Sequence, residues 1–174
     1  MPQKIAVGSD HAGLPAKEAA KKYLSELGYE VEDKGTATAE SVDYPDYAQA
    51  VGNAINNGEA DLGMLFCGSG IGISMAANKV AGIRAALVWN EETARLAREH
   101  NNANIMCMGA RTTPEPEWNT ILNGFLTAKY LGGRHQQRIR TLRRRKQLLR
   151  RKRTSFRIPR NNVNGAGTLE NVRK

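Results

Sequence analysis

Residues 61–78, Asp-Leu-Gly-Met-Leu-Phe-Cys-Gly-Ser-Gly-Ile-Gly-Ile-Ser-Met-Ala-Ala-Asn, restrict the possible folds more than any other stretch. Residues 62–66 are almost uninterruptedly apolar, with an acidic residue before them and glycines soon after, the pattern of a strand buried on both faces. That strand delivers Cys67 into Gly68-Ser69-Gly70-Ile71-Gly72, and residues 71–78 read as a helix. Strand, tight glycine turn and helix together make one unit of a parallel α/β protein. The three glycines lower the cost of left-handed backbone and let a bound group approach the amides. The first N–H groups of the helix then face whatever anion sits above Cys67.

The rest of the chain repeats this rhythm. Strand patterns cover 4–8, 29–33, 83–89 and 104–108, and 29–33 alternates like an edge strand. Helical spacing covers 15–27, with Pro15 in its first turn and Gly28 closing it, and then 46–57. Asn90 with Glu91 and Glu92 starts a helix running through Glu99, and Thr113 caps another that reaches about Tyr130. Five strands alternating with helices imply right-handed crossovers and an open parallel sheet covered on both faces, so the fold class is α/β. Ligands in such sheets collect beyond the carboxyl ends of the strands, where the chain order reverses. Asp10-His11 and residues 67–72 should therefore share a rim, with His100 within reach of it.

Charge divides the chain. Of 174 residues, 1–133 carry 11 Lys or Arg against 16 Asp or Glu, a balance of −5, and 134–174 carry 15 against 1, a balance of +14, which together give the formal +9. Residues 1–133 read as one α/β domain, 134–153 as a basic helix with a thin apolar stripe of Ile139, Leu142, Leu148 and Leu149, and 154–174 as a poorly ordered tail. Cys67 and Cys107 are too few for a disulfide framework, no run approaches membrane-spanning length, and the opening residues lack a signal-peptide core. The expectation is a cytoplasmic protein.

Several residues carry chemistry, each with a plainer reading beside it. Cys67 on its strand alone is a small core residue, but a structural cysteine does not require an amide-rich turn next to it. A thiolate there acts as base or as nucleophile, and the motif leaves both open. Gly68-x-Gly70-x-Gly72 departs from the dinucleotide fingerprint, since it follows the third strand and has Ile73 where the spacing breaks, and no phosphate-loop lysine follows. His11 and His100 are ordinary surface histidines unless Asp10 and Asn101 beside them share a task. The three histidines and the thiol are too dispersed for a zinc cluster. Arg134 and Arg138, four residues apart on one helix face, suit a phosphate or simply begin the basic tail.

Taken together these segments resemble the B-type ribose-5-phosphate isomerases, which sit among sugar-phosphate isomerases that include galactose-6-phosphate and allose-6-phosphate activities. The resemblance covers roughly residues 3–145. Its motifs are Gly8-Ser9-Asp10-His11-Ala12-Gly13, Asp43-Tyr44-Pro45, Cys67-Gly68-Ser69-Gly70-Ile71-Gly72-Ile73-Ser74, Ala76-Ala77-Asn78-Lys79, Gly82-Ile83-Arg84-Ala85, His100-Asn101 and Gly132-Gly133-Arg134-His135-Gln136-Gln137-Arg138. It implies a three-layer α/β/α sandwich with a five-stranded Rossmann-like sheet. The implied reaction interconverts D-ribose 5-phosphate and D-ribulose 5-phosphate through a cis-enediolate, without a redox cofactor or essential metal. Cys67 is then the base, while Ser69 and the amides around Gly68, Gly70 and Gly72 hold the negative oxygen. His100 helps open the furanose ring, and Asp10 and Asn101 position sugar oxygens. His11, Arg134 and Arg138 take the phosphate, and Tyr44 lines the sugar pocket.

The resemblance also implies homodimers with the cleft between subunits, so that Arg134 and Arg138 reach the partner's Cys67. A hexose 6-phosphate is the alternative substrate. The tail past Arg138 departs from the family pattern, and it extends a dimer interface, has no selected role, or binds nucleic acid by counterion release. Basic clusters without a recognition fold make that last partner the least favoured.

Overall fold

The computed structural model describes residues 3–142. In chain order the elements are β1 (Lys4–Ser9), α1 (Leu14–Glu26), β2 (Glu30–Asp33), α2 (Tyr44–Asn56), β3 (Leu62–Cys67), α3 (Ile71–Ala77), β4 (Ala85–Leu87), α4 (Glu91–Asn101), β5 (Ile105–Gly109), a 3-10 turn (Glu115–Glu117) and α5 (Trp118–Thr127). Two compact units divide the chain, Met1–His135 and Gln136–Lys174. The second is described only over 136–142, where the backbone is helical and Thr141 Oγ1 donates to the Gln137 carbonyl at 3.1 Å. The expected helix beyond 142 and the expected tail over 154–174 lie outside the described residues.

All five strands of the first unit are parallel, in the order β2-β1-β3-β5-β4. Burial follows that order. The inner strands β3 and β5 are buried throughout and β1 nearly so, whereas β2 and β4 at the edges are only partly covered. Alternate side chains of the inner strands feed two separate cores, because successive residues of a strand point to opposite faces. Ile5, Val7, Met64, Phe66, Met106 and Met108 meet α1, α4 and α5 through Leu24, Ala97 and Phe125. Ala6, Leu65, Cys67, Ile105 and Cys107 meet α2 and α3 through Val51, Ile73 and Ala77. The result is the three-layer α/β/α sandwich.

The helix ends follow from local chemistry. Gly28, at φ +81°, closes α1, and Asn90 with Thr93 forms a reciprocal capping box that starts α4. Three elements differ from the sequence expectation. The fourth strand is three residues long rather than seven, because Ile83 turns into the core shared with α2 and α3, and pairing with β5 stops once the Val88 amide has donated to the Cys107 carbonyl, leaving Trp89 exposed. The last helix of the domain ends at Thr127 and begins as a 3-10 turn, with Pro114 rather than Thr113 at its cap; Pro116 has no N–H to give. Finally α4 continues to Asn101, so His100 and Asn101 occupy its last turn instead of the loop after it.

Candidate active site

β1 and β3 are neighbours in the sheet, with Ser9 in register with Phe66, and the chain leaves them in opposite directions. This is the reversal point at which an open parallel sheet forms a crevice. A cavity of about 400 Å³ opens there, lined by Asp10, His11, Ala12, Tyr44, Cys67, Gly68, Ser69, Gly72, Arg111 and Thr112.

Cys67 is the last residue of β3, and its sulfur accepts a hydrogen bond from the Gly70 amide at 3.1 Å. Only 4% of Cys67 is exposed, yet that fraction belongs to the cavity wall, so the thiol meets the pocket without facing bulk water. Gly70 must be glycine for two reasons: its φ is +75°, and a Cβ would stand 2.5 Å from Leu87 Cδ1. The Ile71 amide turns back to Ser69 Oγ at 3.3 Å. Of the turn amides expected to face a ligand, those of Gly70 and Ile71 are thus engaged within the turn. The amides of Gly68 and Ser69 make no hydrogen bond among the described residues. Gly72 has a different role, since a Cβ there would lie 2.7 Å from the Tyr44 ring, which closes over it as the first residue of α2.

The facing wall comes from the end of β1. Asp10 Oδ1 accepts the Gly13 amide at 2.9 Å, and the Asp10 amide donates to the Phe66 carbonyl at 3.2 Å, tying this wall to β3. His11 Nδ1 accepts the Val42 amide at 3.2 Å. In a neutral imidazole one nitrogen accepts and the other carries the proton, so this bond leaves Nε2 as a donor. The loop that supplies Val42 is anchored below by charge. Lys17, fully buried, donates to both oxygens of Asp33 at 2.8 and 2.7 Å, and Lys21 and the Gly35 amide donate to the same carboxylate. Burial pushes the Asp33 carboxyl upward, but these hydrogen bonds outweigh it and hold it below the usual carboxylate range. Gly35 and Thr36 in turn exchange backbone hydrogen bonds with Ser9, next to Asp10.

Arg111 is the charged pocket residue that sequence reasoning missed, together with its neighbour Thr112. It follows β5, whose end is clamped to the cysteine turn: the Ala110 amide donates to the Cys67 carbonyl and the Arg111 amide to the Gly68 carbonyl, both at 2.9 Å. Its side chain lies over Gly68, with Cδ and Nη1 each 3.6 Å from where a Cβ would stand. The available signal was its position just after a strand, equivalent to that of Asp10-His11. The second cysteine is chemically quiet by comparison, since burial, and then the nearby Cys67, push the Cys107 thiol well upward.

His100 and Asn101 do not line this cavity, contrary to the expectation of a common rim, and neither does Arg134. The reason is topological. A crossover helix starts at the carboxyl ends of the strands and finishes at their amino ends, and α4 joins β4 to the parallel β5. Its last turn therefore sits at the opposite edge of the sheet from Cys67. There the His100 ring stacks on His135, with centroids 4.3 Å apart and planes 7° from parallel. Arg134 is exposed beside His135, and Arg138, in the second unit, is exposed on its helix. Among the described residues no group of three or more His, Cys, Asp or Glu side chains is placed to hold a metal ion. No helix among them is long and apolar enough to cross a membrane.

A Rossmann-like sheet whose reversal point brings a thiol, an acid and an imidazole around one cavity defines the class of α/β proteins with a cleft site at the carboxyl ends of the strands. Residues 5–142 match the Ribose/Galactose Isomerase family, and the chain belongs to that family; it is an isomerase. It is 46% identical over 140 residues to ribose-5-phosphate isomerase B of Escherichia coli, covering 80% of this chain and 94% of that protein. The crystal structure of a ribose-5-phosphate isomerase from Thermotoga maritima superposes with a TM-score of 0.80 at 50% identity, over 82% of this chain and 98% of that one. Ribose-5-phosphate isomerase B from Mycoplasma genitalium, solved with bound ribulose-5-phosphate, matches with a TM-score of 0.80 at 42% identity, over 84% and 98% of the two chains.

Proposed function

We propose that the protein interconverts D-ribose 5-phosphate and D-ribulose 5-phosphate, with Cys67 as the base. The observation that carries this reading is the Cys67 sulfur at the wall of a cavity of about 400 Å³, fixed by the Gly70 amide and faced by Asp10 and His11. The thiolate removes the C2 proton of the open-chain aldose, and negative charge moves to O1 of a cis-enediolate. Ser69 Oγ and the Gly68 and Ser69 amides are the donors offered to such an oxygen, and oriented donors count most once a bound sugar displaces water from the cavity. The same thiol returns its proton to C1, a proton passes from O2 to O1, and the ketose results. One base serving both carbons keeps the exchange on one face of the enediolate.

Asp10 orients sugar hydroxyls, and Tyr44 over Gly72 closes the side of the pocket. His11 Nε2 and the Arg111 guanidinium supply donors for a phosphate, the arginine through its planar pair of N–H groups. His100 assists ring opening and Asn101, Arg134 and Arg138 contact the substrate from a second subunit, in a homodimer with two shared sites. This arrangement is supported by the position of the last turn of α4 at the sheet edge opposite Cys67. It is supported too by Ile71 and Met75, one turn apart on α3 and 47% and 63% exposed beside the pocket turn, where a second copy would cover them. The relative from M. genitalium carries ribulose-5-phosphate in its structure, which favours the five-carbon substrate.

The family also spans galactose isomerases, so a hexose 6-phosphate is the second reading. Relative kcat/KM for ribose, allose and galactose phosphates decides between them, with ribose 5-phosphate expected to lead by at least tenfold. A leading hexose phosphate would overturn the substrate assignment and leave the base untouched. Cys67→Ala converting ribose 5-phosphate at the native rate would reject the thiol as base.

A further inference from the structure

The reaction as read above assigns a task to His100 and none to the ring stacked against it. We propose that His135 is a positioning residue for His100, a flat buried platform that fixes the plane of the ring-opening imidazole. The inference rests on the reading of His100 as the ring-opening group.

The two rings lie 4.3 Å apart and 7° from parallel, and His135 is only 6% exposed while His100 is half-buried. The platform is itself held by backbone. The Leu131 amide donates to the carbonyl of Glu99, the residue before His100, and the His135 amide donates to the Gly132 carbonyl, both at 3.0 Å. Between them Gly132 and Gly133 take φ values of +64° and +52°, left-handed backbone that side-chain-bearing residues rarely adopt. Two glycines in that conformation fold the chain back so that residue 135 meets residue 100.

A face-to-face contact suits an acid–base imidazole. The ring nitrogens and their protons lie in the ring plane, so a neighbour on the flat face fixes the second side-chain torsion without occupying either nitrogen. A histidine in a final helical turn otherwise turns freely, and ordering it would be repeated at every turnover. Misplacement by about 1 Å in a proton-transfer group can cost on the order of a hundredfold.

The test separates ring opening from proton transfer at carbon. Ribulose 5-phosphate is acyclic, so exchange of its C1 proton with solvent deuterium, followed by proton NMR, reports the Cys67 step alone. Conversion of ribose 5-phosphate, which is mostly cyclic, reports ring opening as well. The readout is the ratio of the two rates in native protein, His135→Leu, which fills the space without a plane, His135→Phe, which restores the plane, and His100→Ala. The ratio is expected to fall about tenfold in His135→Leu and to return to within about twofold of native in His135→Phe. An unchanged ratio in His135→Leu, including one in which both rates fall together, overturns the proposal, provided His100→Ala lowers it. An unchanged ratio in His100→Ala removes the underlying reading and this proposal together.

Discussion

The carboxyl and amino edges of the sheet are built differently. At the carboxyl edge Cys67 ends its strand and Asp10, His11 and Arg111 follow theirs, the register is fixed by ladder hydrogen bonds, and the four converge on one cavity. At the amino edge the His100 and His135 pair is set by the end of a helix and a double-glycine turn, outside that cavity. Strand ends make a pocket because parallel neighbours stop together, whereas a crossover helix carries its last turn away from that pocket. Under the proposed function the two edges are complementary halves of a site that a single chain does not close. The proposed dimer follows from that connectivity as much as from family likeness.

The largest expected effect comes from breaking the carboxyl edge at its thiol. Cys67→Ala should lower kcat by on the order of a thousandfold, with KM for ribose 5-phosphate changed by less than about threefold and the thermal midpoint nearly kept. Breaking the other edge with His100→Ala should cost roughly a hundredfold on the cyclic aldose. A native rate in that variant would confine the chemistry to a single edge.

Smaller changes sharpen the comparison. Arg111→Met should raise KM roughly 10- to 100-fold at nearly constant kcat, the loss of charge-assisted hydrogen bonds to a phosphate, and inorganic phosphate should inhibit it more weakly than native protein. An unaltered KM would take Arg111 out of the phosphate subsite.

Asp33→Asn gives the smallest effect, on stability. It should cost about 1–2 kcal/mol at neutral pH, less than a fully enclosed ion pair because the Asp33 side chain is 29% exposed. The folded-state carboxyl is held below its ordinary value of 3.8, so its contribution is complete above that value and disappears as pH falls through the folded value. Native and variant denaturation curves should therefore converge below about pH 4. Curves that stay parallel into acid would dissociate the wall anchor from Asp33 ionisation.

Much of the carboxyl edge was legible in the sequence. Cys67 and Asp10-His11 each stand just after an apolar run, and the glycine turn announces itself by composition. Strand order was not legible, because hydrophobic periodicity does not say which strands are neighbours. Only the placement of β5 next to β3 brings Arg111 over Gly68, and nothing in the local sequence sets that arginine apart from an ordinary turn residue. His100 lies away from that rim for a related reason, since helical periodicity does not tell at which edge of the sheet the helix ends. The His135 stack depends on a backbone reversal at Gly132-Gly133, and two glycines in sequence do not specify left-handed φ. Tyr44 entered through family likeness, since nothing in its local pattern reveals that its ring covers Gly72.

Mixing two crippled proteins decides whether the two edges meet only between subunits. Cys67→Ala and His100→Ala, unfolded together and refolded at equal concentration, should regain about a quarter of native ribose 5-phosphate isomerase activity, since half the dimers are mixed and each carries one intact site. Activity no higher than that of either variant alone, in a mixture shown to contain mixed dimers, would contradict a site shared between subunits.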